Sequence, residues 1–173
     1  MAGKKIGRLA ALAMSGALAG GAAHAAPEGM LNKSVTVAFT VTIPARGADG
    51  STQANPRAVT RTIYVSSQGR VFARADRRVG KNSQTTERGP GEVGLRVSGN
   101  SITGVLPFPS GASQLTVNFD ASFSSCTAQV IMGAERGKPI VYKGLNGMTY
   151  TQTGPVQVSS VSCSVRSGNA FAG

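Results

Sequence analysis

Tryptophan is absent from this 173-residue chain, and histidine occurs once, at His24. Acids are scarce, with seven Asp and Glu against 18 Lys and Arg. Cysteine is limited to Cys126 and Cys163, and beyond the first 25 residues no apolar run is long enough for a transmembrane helix. Each shortage removes a kind of chemistry. No Ser-x-x-Lys motif occurs to replace a histidine base. Gly89-Pro90-Gly91 has neither a Lys-Ser/Thr continuation nor a helix behind it, so it is no phosphate loop. Asp49-Gly50-Ser51 lacks the repeated acids of a calcium loop. No catalytic residue, metal site or cofactor is therefore expected.

What the first 25 residues do contain is an export address. Lys4, Lys5 and Arg8 precede the apolar stretch Leu9 to Ala19, and Ala23-His24-Ala25 supplies a small–x–small cleavage pattern. Cleavage is expected after Ala25, so residues 1–25 read as a cleavable signal peptide and residues 26–173 as a single β domain. No cysteine follows the apolar stretch, which argues against a lipid anchor. The style is bacterial, and the expected location is the periplasm, with the cell surface or the exterior as alternatives. The leader takes His24 with it, and so removes Ser-His-Asp and Cys-His catalysis and the usual histidine-rich zinc sites. It also takes three of the 18 basic residues and none of the acids, leaving a strongly basic mature chain. Export makes nucleic acid a poor partner for that charge.

In an oxidising compartment two cysteines most simply form one disulfide, here Cys126 with Cys163. The loop it closes is long, and the chain-entropy estimate of its stabilisation is roughly 4 kcal/mol.

The mature chain reads as strands. Ser34–Pro44 alternates with period two, placing Val35, Val37, Phe39, Val41 and Ile43 on one face. Val59–Ser66 and Arg70–Asp76 read as a hairpin around Ser67-Gln68-Gly69, with Gly69 in the left-handed position. This register sets Tyr64 opposite Phe72 and Val65 opposite Val71. Ile63, Val65, Val71, Ala73 and Ala75 then share one face, and Tyr64, Phe72, Arg70 and Arg74 the other. A second hairpin turns at Gly99-Asn100, and Leu115 to Phe123 alternates through a late strand. Cys126–Met132, Ile140–Tyr142, Met148–Thr151 and Val156–Arg166 are further strands. Residues 26–32 read as a mobile lead, Ala45–Arg57 and Arg77–Glu92 as polar loops, and Ser167–Gly173 as a tail. No segment has a helical apolar period. The expected fold is all-β, an antiparallel β-sandwich or small β-barrel of about eight to ten short strands.

Arg57, Arg61, Arg70, Arg74, Arg77, Arg78, Lys81 and Arg88 crowd into one region with only Asp76 and Glu87 among them. Arginine's planar fork suits phosphate and carboxylate. Arg70, Arg74, Arg77, Arg78, Tyr64 and Phe72 are the expected contact surface for an anionic envelope polymer, a lipid head group or an acidic protein.

Tyr64–Arg74 (YVSSQGRVFAR), Asn118–Cys126 (NFDASFSSC) and Val161–Asn169 (VSCSVRSGN) resemble segments of small exported bacterial β proteins without an assigned function. The resemblance spans roughly Ser34 to the C-terminus and implies no activity. The chain departs from lipocalin-like binders, which carry a Gly-x-Trp near the first strand. It departs too from periplasmic lysozyme inhibitors, whose basic target would repel a basic protein. The expected function is non-enzymatic binding or structural interaction in the bacterial envelope. A carboxylate-dependent hydrolase of envelope glycans and an eight-stranded outer-membrane barrel are the alternatives.

Overall fold

The alternation that begins at Ser34 becomes a ten-residue strand, paired on both sides and buried along one face. The structure is a computed structural model and describes residues 26–171, apart from 55, 80, 109–110, 134–137 and 145. The signal peptide, with His24 and the cleavage residue Ala25, lies outside the described residues. So do parts of the turns expected over Pro107–Ser113 and Gly133–Pro139, and the end of the tail. In chain order the strands are β1 (Lys33–Thr42), β2 (Ala45–Gly47), β3 (Thr52–Gln53), β4 (Pro56–Val65), β5 (Val71–Val79), β6 (Asn82–Arg88) and β7 (Leu95–Ser98). They continue as β8 (Ser101–Phe108), β9 (Gly111–Phe119), β10 (Cys126–Gly133), β11 (Val141–Lys143), β12 (Thr149–Gln152) and β13 (Gln157–Ser167).

Three antiparallel sheets pack together as a β-sandwich, with strand orders β13-β1-β4-β5-β6, β10-β9-β8-β7 and β11-β12-β2-β3. Val35, Val37, Phe39 and Val41 of β1 are buried together with Val59, Ile63 and Val65 of β4. Across the core lie Leu115, Val117 and Phe119 of β9, with Ile102 of β8. Period-two burial on both leaves is what lets two sheets share one apolar layer. This apolar-in arrangement differs from the polar lumen of an outer-membrane barrel. Among the described residues no helix is long and apolar enough to cross a membrane.

The β4–β5 hairpin adopts the expected register, with Val65 opposite Val71 and Tyr64 opposite Phe72. Gly69 takes φ +73°, and its N–H donates to Ser66 O at 2.9 Å. Cys126 and Cys163 are joined, tying β10 of the second sheet to β13 of the first.

Several segments differ from expectation. Ala45–Arg57 is not a loop, because it holds β2 and β3 and the start of β4. After Pro44 the chain passes into the third sheet, and Ile140 and Tyr142 beside and within that sheet pack on the core. Arg77–Glu92 is not a loop either. β5 runs on to Val79 and pairs with β6, an edge strand whose polar sequence reflects its place beyond the apolar layer. The late strand stops at Phe119, because Asp120 folds the next residues into a turn. Residues 26–32 are anchored by a short 3-10 turn, Glu28–Met30, that buries Met30 completely. The tail is docked as well. Ser34, itself fully buried, donates to Gly168 O at 2.7 Å and accepts from Ala170 N at 2.9 Å.

Candidate functional site

β5 carries its arginines on two opposite faces, since neighbouring residues of a strand point opposite ways. Arg74 and Arg78 lie on the outer face of the first sheet, opposite Thr62 and Ala58 of β4. Arg77 lies opposite Val59, whose side chain is in the core, so it points inward. The expected contact surface is therefore divided. Arg70, Arg74, Arg78, Tyr64 and Phe72 share the outer side, and Arg77 does not.

The outer face is built in cross-strand rows. One row runs Ser164, Thr36, Thr62, Arg74 and Glu87, and the next Ser162, Ala38, Thr60, Asp76 and Thr85. Threonine suits such a face because its branched Cβ favours the strand; Thr62 at its centre is buried, while Thr36 and Thr60 are half-buried. Arg74 Nε is 3.1 Å from Asp76 Oδ2, and its Nη1 is 3.9 Å from Glu87. Thr85 Oγ1 also donates to Asp76. Arg70 and Arg78 are exposed at the two ends of this arrangement. Tyr64 and Phe72 are in contact with ring centroids 6.0 Å apart, and Phe171 of the docked tail meets Tyr64 edge-on at 6.4 Å. The Tyr64 hydroxyl donates to Asn32 Oδ1.

The inner face holds a second group. Arg57 and Arg61 have 8% and 5% exposure, and they stand on either side of Val59 on β4. Ala73 and Ala75 on β5, opposite Ile63 and Arg61, take little of the space there. Arg88 of β6 pairs with Ala73 and shares the same side. Arg57 Cζ lies 4.2 Å from the ring centroid of Tyr142, which is itself stacked on Tyr150 at 5.8 Å. Burial lowers the Arg57 pKa, and Arg77 lowers it further. Burial brings Arg61 down to about 10, with Arg88 adding to the shift and Asp76 opposing it. Burial also raises the Tyr142 pKa, against the pull of Arg57.

Most of the described carboxylates have structural employment. Asp49 accepts from Ser51, and Glu92 accepts from Gly89 N. Asp76 and Glu87 meet at Arg74 on the outer face of the first sheet. Asp120 holds its turn through Ser122, Ser124 and Ser125. Among the described residues no group of three or more His, Cys, Asp or Glu could hold a metal ion.

Sequence reasoning missed Arg57 and Arg61 as an inner pair, although the signal was present. The string Arg57-x-Val59-x-Arg61-x-Ile63-x-Val65 places both arginines in register with the apolar positions. It missed Tyr142 because nothing local links β11 to β4. No family model, curated protein or solved structure matches the chain.

Proposed function

We propose that this chain is a non-enzymatic, exported binding or structural-interaction protein of the bacterial envelope. Its outer β4–β5 face engages an acidic partner. The observation that carries the reading is the composition of that face. Hydroxyl rows lie beside the Tyr64–Phe72 pair, and Arg70 and Arg78 are exposed at its ends. Such a surface offers charge, hydrogen-bond donors and an aromatic platform to an extended anionic polymer. Arg77 is left out because it points to the other side of the sheet. Carboxylate hydrolysis finds less support, since Asp76 and Glu87 are bound to Arg74 on an open face.

The test is retention on an anionic matrix and on a bacterial envelope fraction at low and high salt. The wild-type protein is expected to be retained at low salt and released at high salt. Alanine at Arg70, Arg74 and Arg78 together is expected to abolish retention at low salt. Retention unchanged in that triple variant sinks the reading.

A further inference from the structure

We propose that Arg57, Arg61, Arg77 and Arg88, with Tyr142, form a binding site on the inner side of the β4–β5–β6 leaf for an oxyanion, the phosphate, sulfate or carboxylate group of a ligand. The site uses none of the outer-face residues and stands independently of the reading above.

Four observations converge. The first is register. Arg77 pairs with Val59, which separates Arg57 from Arg61, so Arg77 is the diagonal neighbour of both. Diagonal neighbours on one face are about 7–8 Å apart, within reach of arginine side chains. The second is the composition of this side of the leaf. Every inner-face position of β4, β5 and β6 is apolar, uncharged polar or arginine, and none is an acid. Asp76 and Glu87 face the other way, and Glu92 is turned to Gly89 N. The third is unmet hydrogen bonding. The Nε atoms of Arg57 and Arg77 are buried without a hydrogen-bond partner among the described residues. A buried donor left unmade costs on the order of 1–3 kcal/mol, more when charged, so two of them in one cluster point to a ligand that accepts from both. The fourth is placement. Tyr142 holds the Arg57 guanidinium from the third sheet, its ring centroid 4.2 Å from Arg57 Cζ, while the Arg57 Nε remains without a partner among the described residues.

Burial falls away from β4 toward β6. Arg57 and Arg61 are buried at the β4 side, Arg77 and Arg88 are half-buried, and Gln84 beside Arg77 on β6 is exposed. An anion entering past β6 would move from water onto the buried arginines. There it would offset the mutual repulsion of Arg57 with Arg77 and of Arg61 with Arg88.

The experiment is thermal unfolding of the mature protein against rising inorganic phosphate, sulfate and galacturonate, with chloride at matched ionic strength. A saturable rise in Tm with phosphate or sulfate names a phosphoryl- or sulfate-bearing ligand. A rise with galacturonate alone names a carboxylate. No rise with any of the three beyond that of chloride overturns the proposal. Arg57→Met and Arg77→Gln are each expected to weaken the dependence about tenfold or more. An undiminished response in both overturns the proposal. The outer-face triple alanine variant is expected to respond like the wild type, and loss of its response would move the anion to the outer face and end the proposal. Should Arg57→Met fail to fold, phosphorus NMR line broadening of phosphate by the wild type and by Arg77→Gln decides alone. Equal broadening by the two is the overturning result.

Discussion

The Asp120 carboxylate accepts hydrogen bonds from the Ser122 and Ser124 hydroxyls and from the Ser124 and Ser125 backbone N–H groups. These bonds, the Ser124 and Ser122 hydroxyls foremost, hold its carboxyl well below the usual carboxylate range. A depressed folded-state pKa stabilises the fold above the unfolded value of 3.8 and loses that contribution as pH falls below it. Asp120→Asn is therefore expected to be less stable than the wild type at about pH 7, with the gap narrowing toward about pH 2. Urea midpoints for both proteins at the two pH values check this, and a gap that does not narrow assigns the loss to shape alone. The exposed or turn-bonding role of Asp120 was legible, because strand alternation sets it opposite Phe119 and serines follow it. Arg61 was harder to read. Its parity with Ile63 and Val65 marks an inner position, but a charge there is expected only when the site compensates it.

At the scale of the element, the β7–β8 hairpin depends on two glycines. A Cβ at Gly104 would overlap Gly94 O, and a Cβ at Gly94 would overlap Val105 O. Gly104 also takes φ +151°, which side chains rarely adopt. Gly104→Ala is expected to cost about 2 kcal/mol or more, read as a lowered urea midpoint, whereas Gly99→Ala, at the hairpin turn with open space around it, should cost less. The strands with apolar alternation, β1 and β4–β5, were readable because half of each is buried and the period shows directly. β6 was not, since it is an edge strand beyond the apolar layer and its inner positions, Gln84, Thr86 and Arg88, are polar. β2 and β3 were too short for a period to appear, and they exist because β12 pairs with β2 from the far end of the chain.

Across the whole molecule, β1 pairs with both β4 and β13, and the disulfide ties β13 to the second sheet. The first and last strands are thereby joined at one edge of the first leaf, and the disulfide links that edge to the edge strand β10 of the second. The bridge spans a sequence separation of 37 residues. Replacing Cys126 and Cys163 by serine is expected to destabilise the protein by roughly 2–4 kcal/mol. Equilibrium urea unfolding of the oxidised wild type and of the double variant measures this. Equal stability would mean that the packing of β10 against β13 suffices without the covalent link.

Composition and period-two patterning determined by themselves the all-β class, the β4–β5 register and the pairing of the two cysteines. These follow from local sterics, from alternating burial and from the cysteine count. Tertiary structure decided the rest. It buried Met30, docked the tail on Ser34, and carried Tyr142 across to Arg57. It also divided one run of arginines between two faces, so that Arg74 meets the outer-face acids and Arg78 is exposed beside it, while Arg77 joins Arg57 and Arg61 inside. The physical reason is that the parity of a strand can be read locally, but which parity faces the core, and what lies across from it, depends on partners distant in the chain.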